Sequence, residues 1–98
     1  MTITAKFSLG QVLATPGALQ AMKESGQEAA FFLDRHSTGD WGTVCPDDAQ
    51  LNDEALMDGG RVISAYSTLK GVKIWIITEA ADGDGQRFAT TIMLPDEY

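Results

Sequence analysis

Three β-like runs fill the last third of the chain, RVISAYS (61–67), VKIWIITE (72–79) and RFATTIML (87–94), separated only by the turn-rich breaks TLKG and AADGDGQ. Runs this close in sequence can pair only as hairpins, because a parallel crossover needs a dozen or more residues. An antiparallel meander is therefore expected from Arg61 to Pro95. Whatever precedes it must cover one of its faces.

Turn length sets the register. With TLKG as a four-residue loop, Ser67 faces Val72, Tyr66 faces Lys73, Ser64 faces Trp75 and Val62 faces Ile77. With AADGDGQ as the second connection, Glu79 faces Arg87 and Trp75 faces Thr91. One face then carries Ile63, Ala65, Val72, Ile74, Ile76, Phe88, Ile92 and Leu94 and forms the core side. The other carries Ser64, Tyr66, Lys73, Trp75, Glu79, Arg87 and Thr91. A slip of one residue exchanges the faces.

Ahead of the meander, ITAKFS alternates Ile3, Ala5 and Phe7 with polar residues, which predicts a short strand. Thr15 before Pro16 reads as an N-cap with proline at the first helical position, predicting a helix from Pro16 to about Glu24 that buries Leu19 and Met22. Ser25 and Glu28 have capping-box spacing, predicting a second helix from Gly26 to Ser37. A third opens at Pro46, with Asp47 and Asp48 in its first turn where the helix dipole favours anions, and stops at Gly59-Gly60. The expected fold is α+β in one domain over residues 1–98: a short N-terminal strand, three short helices, then a three-stranded antiparallel meander with the helices on one face.

The formal net charge is −7. Between Asp40 and Asp58 stand Asp40, Asp47, Asp48, Asp53, Glu54 and Asp58 without one Lys or Arg. Such a surface repels phosphate and argues against nucleic acid as a partner. No apolar run approaches the roughly 20 residues of a membrane span, and MTITAKFSLG lacks the apolar stretch of a secretory signal, so a cytoplasmic location without membrane contact is expected. Cys45 is the single cysteine and has no partner spacing for a disulfide or zinc site. Neither a metal nor another cofactor is expected.

The candidate site residues each have two readings. His36, the lone histidine, is a natural general acid or base, yet it shares a helix face with Phe32 and Leu33, where a hydrogen-bonded core histidine is the plainer reading. Asp40 and Trp41 could form a recognition loop, or Trp41 could plug the core while Asp40 caps a turn. Glu79 and Arg87 could serve as base and phosphate clamp, or as an ordinary cross-strand pair. Asp82-Gly83-Asp84-Gly85 lacks the ligands of a calcium loop and reads as a turn. Asn52 is a weak helix former suited to tying down neighbouring backbone. Cys45 is either a small packing residue or a reactive thiol.

The segments LATPGAL (13–19), FLDRHSTGDWG (32–42), RVISAY (61–66), KIWIITE (73–79) and TTIMLPDEY (90–98), with Asn52 between them, resemble a family of small bacterial proteins of unassigned activity commonly met on plasmids and other mobile elements. The DGDGQ turn at 82–86 is longer than the corresponding hairpin of that family. The resemblance implies a bacterial, cytoplasmic accessory protein rather than a housekeeping enzyme. Two functions follow as expectations. The first is a non-enzymatic protein that binds a protein partner through the acidic third helix or through the Trp75 and Tyr66 sheet face, with Tyr66, Trp75, Trp41 and Asp40 as the candidate binding residues. The alternative is a ribonuclease-like toxin of the barnase or RelE type, with Glu79 as base, His36 as acid, and Lys73 and Arg87 as phosphate clamp.

Overall fold

A computed structural model describes residues 5–98 of the chain. The fold is α+β: β1 (Gln11–Ala14), α1 (Pro16–Ser25), α2 (Ala29–Ser37), α3 (Pro46–Asp58), β2 (Val62–Ser67), β3 (Lys73–Thr78), β4 (Ala89–Met93) and a final 3₁₀ turn, Pro95–Glu97. The strands form one mixed sheet in the order β1-β4-β3-β2, with β1 parallel to β4 and the other pairs antiparallel. The three-strand meander is thus extended by a fourth, parallel strand. That strand is not the one the N-terminal alternation predicts. Ile3 and Thr4 lie outside the described residues, Ala5–Ser8 form no strand, and β1 begins at Gln11.

α1 starts as predicted, with the Ala18 N–H donating to Thr15 Oγ1 at 3.2 Å. It runs through Ser25 because the capping box does not form. The Ser25 hydroxyl donates back to Met22 O, and Gly26 closes the helix with its N–H on Lys23 O and Met22 O. A residue committed to ending one helix cannot start the next, so α2 begins only at Ala29. Met22 is buried as expected, but Leu19 is 55% exposed.

The first hairpin corrects the predicted register. Thr68 N–H donates to Val72 O at 2.8 Å, and the loop is the three residues Leu69–Gly71 with Gly71 at φ +82°. This is the loop with a left-handed glycine that three-residue hairpins favour. One residue fewer in the loop shifts every pair of β2 against β3, giving Val62↔Thr78, Ser64↔Ile76 and Tyr66↔Ile74. Because the side-chain period of a strand is two, the shift turns β2 over. Tyr66 and Ser64 join Ile74, Ile76 and Ile92 on the inner face, while Ile63 and Ala65 join Lys73 and Trp75 on the outer one. The second hairpin is also displaced, but by an even step, so β3 and β4 keep their predicted faces: Trp75 pairs with Met93 and Ile77 with Thr91.

Inner-face residues separate into two apolar clusters. Ala18, Met22, Phe32, Tyr66, Ile74, Ile76 and Ile92 pack under α1 and α2. Trp41, Ala55 and Val62 form the other, with Phe7, Val44, Ala49 and Leu56 against them. Between the clusters the strands carry polar residues, Ser64 on β2, Thr78 on β3 and Thr90 on β4, each with no exposed surface. His36 reaches down from α2 to meet them.

The free edge of β2 is closed by side chain and loop. Asn52 Nδ2 donates to Ile63 O at 2.7 Å, and Ile63 N–H donates to Asn52 Oδ1 at 3.1 Å, so one amide takes the place of a neighbouring strand. Further along, Ala65 N–H donates to Trp41 O and Thr43 N–H to Ala65 O. Gly42 lies between them at φ +74°, where a Cβ would fall 1.9 Å from Ala65 O. Only glycine permits this approach.

Candidate functional site

His36 accepts from Ser64 and donates to Thr78, and the direction follows from the end of the chain of bonds. Thr90 Oγ1 lies 2.7 Å from Leu9 O, which can only accept, so the single Thr90 proton is used there. Thr78 must then donate to Thr90 (2.7 Å) and in turn accept from His36 Nε2–H (2.8 Å). Neutral His36 therefore carries its proton on Nε2, and its Nδ1 accepts from the Ser64 hydroxyl at 2.6 Å. Burial, helped by the charge of Arg87, pushes the imidazole pKa down to about 4. A serine donating to a histidine is the geometry of an activated nucleophile. Here both side chains are 0% exposed and the second ring nitrogen is already engaged, so no substrate can reach the pair.

Arg87 does not face Glu79. Glu79 N–H pairs with Ala89 O, while Arg87 bridges to Ala81. Arg87 is 8% exposed, and its guanidinium donates to the carbonyls of Gly60 (2.7 Å), Glu79 (3.0 Å) and Ala55 (3.0 Å). Those of Ala55 and Gly60 stand at the C-terminal end of α3, where the helix dipole favours a cation. Phe88, predicted to be core, is 81% exposed in its place. The set proposed for catalysis is therefore dispersed: His36 and Arg87 are buried and locked by hydrogen bonds, Lys73 projects from the opposite face of the sheet, and Glu79 is exposed.

Asp40 and Trp41 build the fold. Asp40 pairs with Arg35 at 2.7 Å, the one ion pair among the described residues, and accepts from Gly42 N–H. The Arg35 guanidinium holds the Asp40 carboxyl below its usual range. Trp41, 7% exposed, donates its indole N–H to Asp53 at 2.9 Å. Tyr66, placed on the polar face by the predicted register, is 1% exposed in the core, with its hydroxyl donating to Asp40 O and burial pushing its pKa up to about 12. Asp82 Oδ1 accepts from Asp84 and Gln86 N–H, closing the DGDG turn on itself. Among the described residues no cluster of His, Cys, Asp or Glu could hold a metal ion, and no helix is long and apolar enough to cross a membrane.

What remains is the outer face. Ile63, Ala65 and Trp75 floor an open groove of about 390 Å³, with Thr43, Val44, Asp48, Arg61, Lys73 and Tyr98 around it. Trp75 and Tyr98 meet edge to face at 5.8 Å. Arg61 lies 5.9 Å from the Tyr98 ring centre and donates to its hydroxyl at 2.9 Å. Tyr98 is brought there by Glu97, whose carboxylate clasps the start of α1: it accepts from the Thr15 hydroxyl (2.5 Å), Gly17 N–H (3.3 Å) and Leu94 N–H (2.9 Å). The Thr15 hydroxyl is the main reason the Glu97 carboxyl sits below its usual range. Arg61 and Tyr98 were not singled out as site residues from the sequence. The corrected β2 register points to Arg61, which shares a parity with Ile63 and Ala65, whereas Tyr98 follows the break at Pro95 and no periodicity reports its position. Comparisons with family models, with curated proteins and with solved structures returned no match.

Proposed function

We propose that the chain is a small acidic accessory protein of the bacterial cytoplasm, of the kind carried by mobile elements, that binds a protein partner without catalysis through its outer sheet face. One observation carries this reading. His36 and Arg87, the buried members of the catalytic set, are consumed by the fold, while Trp75, Tyr98, Arg61 and Lys73 stand together around one open groove on the outer face. Aromatic residues beside an arginine are the usual anchors of protein interfaces. Nothing here favours the nuclease alternative, since its four side chains form no common open site: His36 and Arg87 are buried, Glu79 meets Arg87 only through its backbone carbonyl, and Lys73 lies on the other face of the sheet.

The test is partner capture from a bacterial host lysate with wild-type protein, Trp75→Ala, and a variant with Asp47, Asp48, Asp53 and Glu54 neutralised to Asn and Gln. A stoichiometric partner lost in Trp75→Ala and retained by the neutralised helix supports the reading. The reverse pattern moves the interface to α3 and overturns it.

A further inference from the structure

We infer that the groove takes an acidic peptide segment of its partner, an apolar or aromatic side chain lying against Trp75 with a flanking carboxylate held between Arg61 and Lys73. This rests on the groove being the docking surface and adds the chemistry of what docks. The argument is charge complementarity in a molecule of the wrong overall sign. The chain has 7 Lys and Arg against 14 Asp and Glu, yet the side chains bordering the groove include two cations, Arg61 and Lys73, and a single acid, Asp48. Neither cation stands within 4.0 Å of any carboxylate among the described residues. Both are exposed, and Arg61 is held in place by Tyr98, so part of the cost of fixing its long side chain is met before a ligand arrives.

The surrounding acid narrows the class of anion. A polyanion such as nucleic acid must lay many phosphates along the surface and would meet α3, whose Asp47, Asp48, Asp53 and Glu54 repel it. A short peptide presents one or two carboxylates. At physiological salt, exposed charges beyond about 8 Å are largely screened, so a short ligand is governed by the groups that line the groove, two cations against the Asp48 carboxylate. Asp48 at the rim then orients the ligand, keeping its acidic part toward Lys73 and away from α3. The guanidinium of Arg61 suits a carboxylate in particular, having planar donors still free beside the one given to Tyr98.

The experiment measures anisotropy with three fluorescein-labelled hexapeptides that share one phenylalanine and differ only in its neighbours, which are Asp/Glu, Asn/Gln or Lys. Expected is saturable binding of the acidic peptide, weakened about tenfold by Arg61→Gln with Lys73→Gln and weakened further by rising salt. The charge-reversed pair Arg61→Glu with Lys73→Glu should turn the preference to the Lys peptide. Circular dichroism and the buried Trp41 fluorescence confirm that each variant is folded. Equal or tighter binding of the neutral or basic peptide by the wild type, abolished in Trp75→Ala, overturns the acidic class while the groove stands as docking surface. Acidic-peptide binding indifferent to Arg61, Lys73 and Trp75 overturns the groove as well. Failure of all three peptides in a protein whose captured partner is still lost in Trp75→Ala overturns the inference alone.

Discussion

Lowering the pH from 7 to 5 should destabilise the protein through His36, ahead of the losses from Asp40 and Glu97, whose carboxyls the fold holds in the charged form. The imidazole has an ordinary pKa near 6.5 in the unfolded chain and about 4 in the folded one. Between these values the unfolded chain binds a proton that the folded chain refuses, so stability is complete above the unfolded value and falls as pH drops toward the folded one. At about 1.4 kcal/mol per tenfold change in proton affinity, the whole interval is worth about 3.5 kcal/mol, of which about 2.5 kcal/mol is lost by pH 4.5. That is a large share of a small domain's stability, typically about 5–15 kcal/mol. Asp40 and Glu97, with folded pKa values below their ordinary 3.8 and 4.5, add their own losses only lower in the range.

The loss should be read by urea unfolding at steps between pH 7 and 4.5. The single histidine lets its imidazole protons be followed by NMR without assignment, and ring ¹⁵N shifts should report a proton on Nε2 and none on Nδ1. An apolar replacement of the network, His36→Leu with Ser64→Ala and Thr78→Val, removes donors and acceptors together, which costs far less than orphaning one of them. It should flatten the slope between pH 6.5 and 5. A folded-state titration near pH 6.5, or an equal slope in the apolar variant, would refute the assignment of this loss to His36.

Four other outcomes are expected. Gly42→Ala should cost about 2 kcal/mol or more by urea midpoint, from positive φ and the collision with Ala65 O, whereas Gly83→Ala, with open space and no positive φ, should stay within about 0.5 kcal/mol. Tyr66→Phe should cost about 1–2 kcal/mol for the lost bond to Asp40 O, and spectrophotometric titration should show one of the two tyrosines ionising only near pH 12. Asn52→Ala orphans the Ile63 N–H and C=O; it should cost about 2–4 kcal/mol and produce concentration-dependent association in sedimentation, because it uncovers a strand edge. Wild-type protein should leave a fluorogenic RNA intact, and cleavage lost in both Glu79→Gln and His36→Ala with the fold retained would reverse the functional reading.

Periodicity and turn chemistry carried most of the architecture. Thr15-Pro16, Pro46 with Gly59, and the alternation of Ile74, Ile76 and Ile92 are local signals, and local forces decide what they describe. The face of β2 was not legible in that way. It depends on whether Thr68 belongs to the loop or the ladder, and both choices leave apolar residues on either face: Ile63 and Ala65 on one, Val62 and Tyr66 on the other. The deciding term is distant. Ser64 is acceptable in the core only because His36, 28 residues earlier in the chain, supplies its partner. β1 was missed for a related reason: a four-residue strand, QVLA, has too short a pattern to read, and its partner β4 lies at the other end of the chain.

For a partner docked as proposed, that same register leaves recognition to side chains rather than to backbone. The β2 edge, closed at Ile63 and Ala65 by Asn52 and by Trp41 and Thr43, has no free hydrogen-bonding groups there to offer an incoming strand, and β1 at the opposite edge spans only four residues. A partner that docks on the outer face must therefore draw its affinity from Trp75, Tyr98 and the charges beside them. Trp75 neighbours Ile74 and Ile76, both fully buried, so its backbone is held by the most protected part of the sheet. Tyr98 is held by the 3₁₀ turn, by the Glu97 clasp on Thr15 and Gly17, and by its contacts with Trp75 and Arg61, with no neighbouring strand on its backbone. The groove thus joins one rigid aromatic to one on an exposed tether. A ligand that inserted between them would break the Arg61 bond to the Tyr98 hydroxyl, so a carboxylate held by a positioned Arg61 belongs to a ligand lying beside the aromatic pair.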